Sequence, residues 1–136
     1  MLRDMRRPLT RPHRLAFHLA AAGAALAAVY HLTAITVPAF GAIAYPAGYP
    51  IWRHVVFILV DATLAGLLLR RPIWLIWPYI LLTIQVFNGH GVSAWRSFRG
   101  PGHIDWVSVV TVIGIVFILA LLLLDWRERR AGDAHV

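Results

Sequence analysis

Residues 104–124 read IDWVSVVTVIGIVFILALLLL, an aliphatic run whose only charged side chain, Asp105, stands at its beginning. Coiled as a helix at about 1.5 Å per residue, it would extend about 31 Å, close to the thickness of a bilayer's hydrocarbon core. Asp125 and then Arg127, Arg129 and Arg130 end it with charge.

Three more apolar runs precede it. The first covers Leu15 to Val37 and stops at Pro38, which lacks the N–H that the next helical hydrogen bond needs. Alanines at 16, 20, 24 and 28, with Gly23, give it a smooth strip suited to close helix packing. The second covers 51–69 and ends at Arg70, Arg71 and Pro72. The third covers 73–90, and Pro78 in its second turn predicts a kink or a distorted start. The expected fold is therefore all-α, an integral membrane four-helix bundle in a single domain of 1–136. Its helices lie at about 15–37, 51–69, 73–90 and 104–124, with short tails at 1–14 and 125–136.

Composition agrees. Of 136 residues, 60% are hydrophobic, more than a soluble domain of this size hides from water. The chain has no cysteine, which excludes disulfides, thiolate metal sites, iron–sulfur clusters and cysteine nucleophiles. Its net charge of +7 does not point to nucleic acid, because the arginines collect at the ends of apolar runs. All the basic residues are arginine and none is lysine, a codon habit that suggests a bacterial source.

The arginines also orient the chain. Arg3, Arg6, Arg7, Arg11 and Arg14 precede the first run, Arg70 and Arg71 join the second to the third, and Arg127, Arg129 and Arg130 follow the fourth. Only Arg53, Arg96 and Arg99 fall on the other side, so the positive-inside bias places both termini in the cytoplasm of a bacterial inner membrane. Trp52, Trp95 and Trp106 then sit at the outer interface and Trp74, Trp77 and Trp126 at the inner one. Two outer loops are expected, 38–50 and 91–102, the second interleaving Trp95 and Phe98 with Arg96 and Arg99 against the membrane surface. A cleaved leader would share the basic start and the Ala42, Ile43, Ala44 triplet, but the first apolar run is long for that role.

Function is sought in side chains that lipid should exclude, because an ionisable group near the bilayer centre costs several kcal/mol unless paired or hydrated. His31, His54, His90 and His103 bring one imidazole from each helix to the outer half. At about 1.5 Å per residue, His54, His90, His103 and Asp105 fall within roughly 5 Å of the outer boundary, and Asp61 about 15 Å down. Gln85 and Asn88 lie between, and His54 and Asp61, seven residues apart, share a helix face. The list describes a polar funnel open to the outside.

Three functions suit it. Neutral imidazoles with Asp105 would bind a transition metal such as zinc or copper, alone or within a membrane complex. A b-type haem would need two facing histidines at one depth, which His54 and His90 satisfy. Alternatively Asp61, with Gln85 and Asn88, would take up and release a proton or ion in a transport component. Third, the chain is an accessory subunit whose alanine-rich first helix packs on a partner. A narrow bundle of this size favours self-association or a larger complex within the bilayer. Blander roles suit several of these residues too: Asp105 as a helix N-cap, Asp125 with Arg129 as an i,i+4 pair, Ser108 and Thr111 bonded to their own backbone, and the outer histidines as interfacial groups. No phosphate loop, nucleophile elbow or kinase signature occurs, and no residue pair specifies a reaction.

Overall fold

The computed structural model describes residues 11–44, 50–100 and 102–133. Arg3, Arg6 and Arg7, the loop 45–49 and Pro101, all used in the sequence reading, lie outside the described residues. Among the described residues every regular element is helical: α1 (Arg11–Thr36), α2 (Pro38–Ala44), α3 (Ile51–Arg70), a 3-10 turn (Ile73–Leu75), α4 (Ile76–Val86), a π-helical turn (Phe87–Gly91), α5 (Val92–Arg99) and α6 (Trp106–Asp133). Among the described residues three helices are long and apolar enough to cross a membrane, Arg11–Thr36, Ile51–Arg70 and Trp106–Ala131. Large apolar side chains such as Leu26, Leu59, Val110 and Ile113 stand exposed on all three, a surface that suits lipid and not water.

Leu15–Arg71 forms one compact unit. In it α1 and α3 run antiparallel, because late α1 meets early α3 at His31 and His54 while early α1 meets the end of α3 at Phe17 and Arg71. On α1, Phe17, Ala20, Ala21, Ala24 and Ala34 are buried and the leucines face outward. Pro72 ends α3 from one residue away, since a residue before proline is pushed out of the α region. Arg71 takes the left-handed conformation (φ 51°), its N–H donates to the Leu67 carbonyl at 2.6 Å, and its guanidinium lies 5.2 Å from the centre of the Phe17 ring. The segment after Thr36, expected as a loop, begins with the short helix α2. Tyr30 and Phe40 meet edge-to-face at 5.3 Å, which folds α2 back on the end of α1.

The described residues from Pro72 to Asp133 belong to the second unit, together with Arg11–Arg14. Here α4, the π turn and α5 pack in series against α6. Tyr79, 2% exposed, donates its hydroxyl to the Ile115 carbonyl at 3.2 Å and ties α4 to the middle of α6. The distortion expected near Pro78 is the 3-10 turn, after which proline falls in the first turn of α4, where no intrahelical donor is needed. The region expected as the loop 91–102 departs from the reading: the helical path continues through the π turn into α5, with Ala94 buried. Gly89, His90 and Gly91 make up most of that wide turn.

Candidate functional site

Two histidine-centred clusters are built, one in each unit. In the first, α1 and α3 bring His31 and His54 together with Nδ1 atoms 3.1 Å apart and ring centres 5.3 Å apart. His54 is 4% exposed. His31 is clamped, its ring stacked on Phe57 at 5.1 Å and 15° and met edge-on by Tyr30 at 5.6 Å. Phe57 follows His54 by three residues on α3 and so shares its face, which explains why one helix presents both the imidazole and the stacking surface. At 3.1 Å one Nδ1–H donates to the other's bare Nδ1. Asp61, half-buried, lies two helical turns further along α3.

The second cluster closes over the start of α6. Asp105 precedes the helix and its Oδ1 accepts the Ser108 N–H at 3.0 Å, an N-cap. Its Oδ2 accepts two hydroxyls, from Ser108 and from Ser93 of α5, both at 2.6 Å. His90, in the π turn, meets the Ser108 hydroxyl oxygen through Nδ1 at 2.9 Å. Burial pushes the Asp105 carboxyl up, but the Ser108 and Ser93 hydroxyls, the Ser108 N–H and nearby His90 together outweigh it and hold it below the usual carboxylate range.

The sequence-derived site residues are thus divided. His31 with His54, and His90 with Asp105, are in contact or in one hydrogen-bond network. His54 and His90, matched in depth as haem ligands, engage His31 and Ser108 respectively. His103 is exposed ahead of α6, and Gln85 and Asn88 are exposed on α4 and the π turn. Among the described residues no group of three or more His, Cys, Asp or Glu side chains is placed to hold a metal ion together. Asp125 and Arg129 form the expected i,i+4 pair at 2.7 Å, and Thr111 bonds back to the Val107 carbonyl at 2.7 Å. Ser108 does not follow Thr111: its hydroxyl goes to Asp105.

Sequence reasoning missed Ser93 and Phe57. Ser93 fell in a segment read as loop, and Phe57 looked like one more apolar residue of a span. No family model, curated protein or solved structure matches the chain.

Proposed function

We propose that this chain is a four-span membrane protein with both termini in the cytoplasm, whose His31–His54 pair binds a first-row transition metal ion such as zinc or copper. The observation that carries the reading is the 3.1 Å separation of the two Nδ1 atoms. Two imidazole nitrogens on a tetrahedral ion, each at about 2.0–2.1 Å from it, stand about 3.3 Å apart. The pair is within a few tenths of an ångström of that spacing, with one ring held by a stacked phenylalanine and the other buried. Haem fits less well, because two ligands on opposite faces of an iron need their nitrogens about 4 Å apart with the metal in line between them.

Two protein ligands leave coordination positions for water, a substrate group or a partner's side chain. Structural zinc sites are closed by four protein ligands, whereas an open position suits exchange or delivery of the ion. The reading is therefore a metal-binding membrane protein whose ion keeps open positions through which a second set of ligands can take it.

Elemental analysis of the detergent-purified protein after zinc or copper loading and desalting tests it. Stoichiometric metal is expected in wild type and not in His31→Ala or His54→Ala. A wild type that retains no metal sinks the proposal. Asp61 is about 10.5 Å along the helix from His54, too far for direct ligation, so Asp61→Asn is expected to keep its metal. Metal loss in that variant would instead tie Asp61 to the site.

A further inference from the structure

The second cluster has a directional hydrogen-bond chain that the metal reading does not use. Each donor in it can be assigned from its partners. Ionised Asp105 has no proton to give, so both short contacts to its Oδ2 carry the serine hydroxyl protons. The Ser108 proton is thereby committed to Asp105, and the Ser108 oxygen can meet His90 only as an acceptor. His90 must then hold its proton on Nδ1, because the ring nitrogen that makes the hydrogen bond fixes the tautomer of the other. Its Nε2 is left with a bare lone pair. No described group bonds to that nitrogen, and the ring is half-exposed.

The surroundings fit this use. Ser108, the middle of the chain, is 3% exposed, so water does not compete for its hydroxyl. His90 is carried by a π-helical turn, a widened backbone that is rare and recurs at functional sites. Exposed aromatic rings lie next to the chain in sequence, Phe87 on the same turn and Trp106 beside Asp105.

We propose that His90, Ser108 and Asp105 form a proton-exchange site for a weakly acidic hydroxyl carried in the lipid phase, a phenol or hydroquinone. The ligand's O–H bond breaks as Nε2–H forms. The Nδ1 proton passes to the Ser108 oxygen while the Ser108 proton passes to Asp105 Oδ2, and the resulting carboxylic acid releases it to water. One proton leaves the ligand and one reaches water, the carboxylate is restored, and the reverse run resets the ring. No electron moves. The Ser93 hydroxyl steadies the accepting oxygen, and its role is one of positioning.

The test is nitrogen NMR of the full chain, ¹⁵N-labelled at histidine, in detergent micelles at neutral pH, with the His90 signals identified by His90→Gln. The Nδ1–H form is expected in wild type. In Asp105→Asn the new amide donates to Ser108, freeing that hydroxyl to donate to His90 and switching the ring to Nε2–H; Ser108→Ala removes the acceptor and also releases the ring. An Nε2–H ring in wild type, or a ring unchanged in both variants, overturns the relay. Phenol is then titrated against anisole, which has the same ring without the acidic proton. A saturable shift at His90 Nε2 that is about tenfold weaker with anisole supports the assignment. An equal response to both, or none to phenol, overturns the ligand class.

Discussion

The Asp105 carboxylate takes three hydrogen bonds, one that caps α6 and two that recruit serine hydroxyls. Replacing it with alanine at neutral pH is expected to cost about 0.5–2 kcal/mol, the range of a lost N-cap, read as a lower thermal unfolding midpoint in detergent. The pH dependence has a definite sign. Hydrogen bonding holds the folded carboxyl below its ordinary value, so folding favours the ionised form. That stabilisation is fully present above the unfolded value of about 4 and fades as the pH falls through the lower folded value. Wild type should therefore lose its advantage over Asp105→Asn on acidification; a gap that stays constant with pH would mean the carboxylate's charge contributes nothing. The cap was legible because an acidic residue directly before an apolar run has few other local uses. The His31–His54 contact was not. Sequence gave both residues a depth in the outer half, but choosing which histidines meet requires the rotation of each helix about its axis. Helices with large apolar residues nearly all round carry too little periodicity to fix that rotation.

At the level of elements, backbone proximity matters most where α2 turns back on α1. A Cβ built on Gly41 would run into the carbonyl oxygen of Ala34, a backbone atom that cannot swing aside, whereas a Cβ on Gly23 meets nothing within 4 Å. Gly41→Ala is expected to destabilise by about 1–3 kcal/mol, as overpacking does. Gly23→Ala, in mid-helix, should be neutral or stabilising by up to about 1 kcal/mol. Paired thermal melts of the two variants check this, and equal behaviour would show that α2 does not hold its place against α1. The helical segments α2 and α5 were both read as loops, for related reasons. Prolines and glycines frame 38–50, and glycines bracket His90, which is ordinary turn chemistry. What sequence could not weigh is the gain from burying Ala94 and seating Ser93 on Asp105, contacts distant in the chain that keep 92–99 helical.

For the molecule as a whole, the parity of its crossings decides which side of the membrane the C-terminus occupies. Three long apolar helices are evident, and three crossings would put the two termini on opposite sides. The segment from Ile73 supplies the fourth in the proposed reading. Its 3-10 turn, α4 and π turn contain 3, 11 and 5 residues and together rise about 28 Å at about 1.5 Å per residue, against a hydrocarbon core of about 30 Å. The arginines favour the same answer. With three crossings Arg127, Arg129 and Arg130 would lie opposite Arg11 and Arg14, against the positive-inside bias; with four they lie together. Sequence length and hydropathy made the three long apolar helices legible, whereas the broken geometry at Ile73 and Phe87 was only partly foreshadowed, by Pro78. Because the chain has no cysteine, single thiols report topology without background. Pro12→Cys, His103→Cys and Ala131→Cys replace exposed residues and leave the arginine count intact. In intact cells a membrane-impermeant thiol reagent should label His103→Cys alone, and the other two only after permeabilisation. Labelling of Ala131→Cys in intact cells while Pro12→Cys stays protected would establish an odd number of crossings and remove the segment after Pro72 from the membrane.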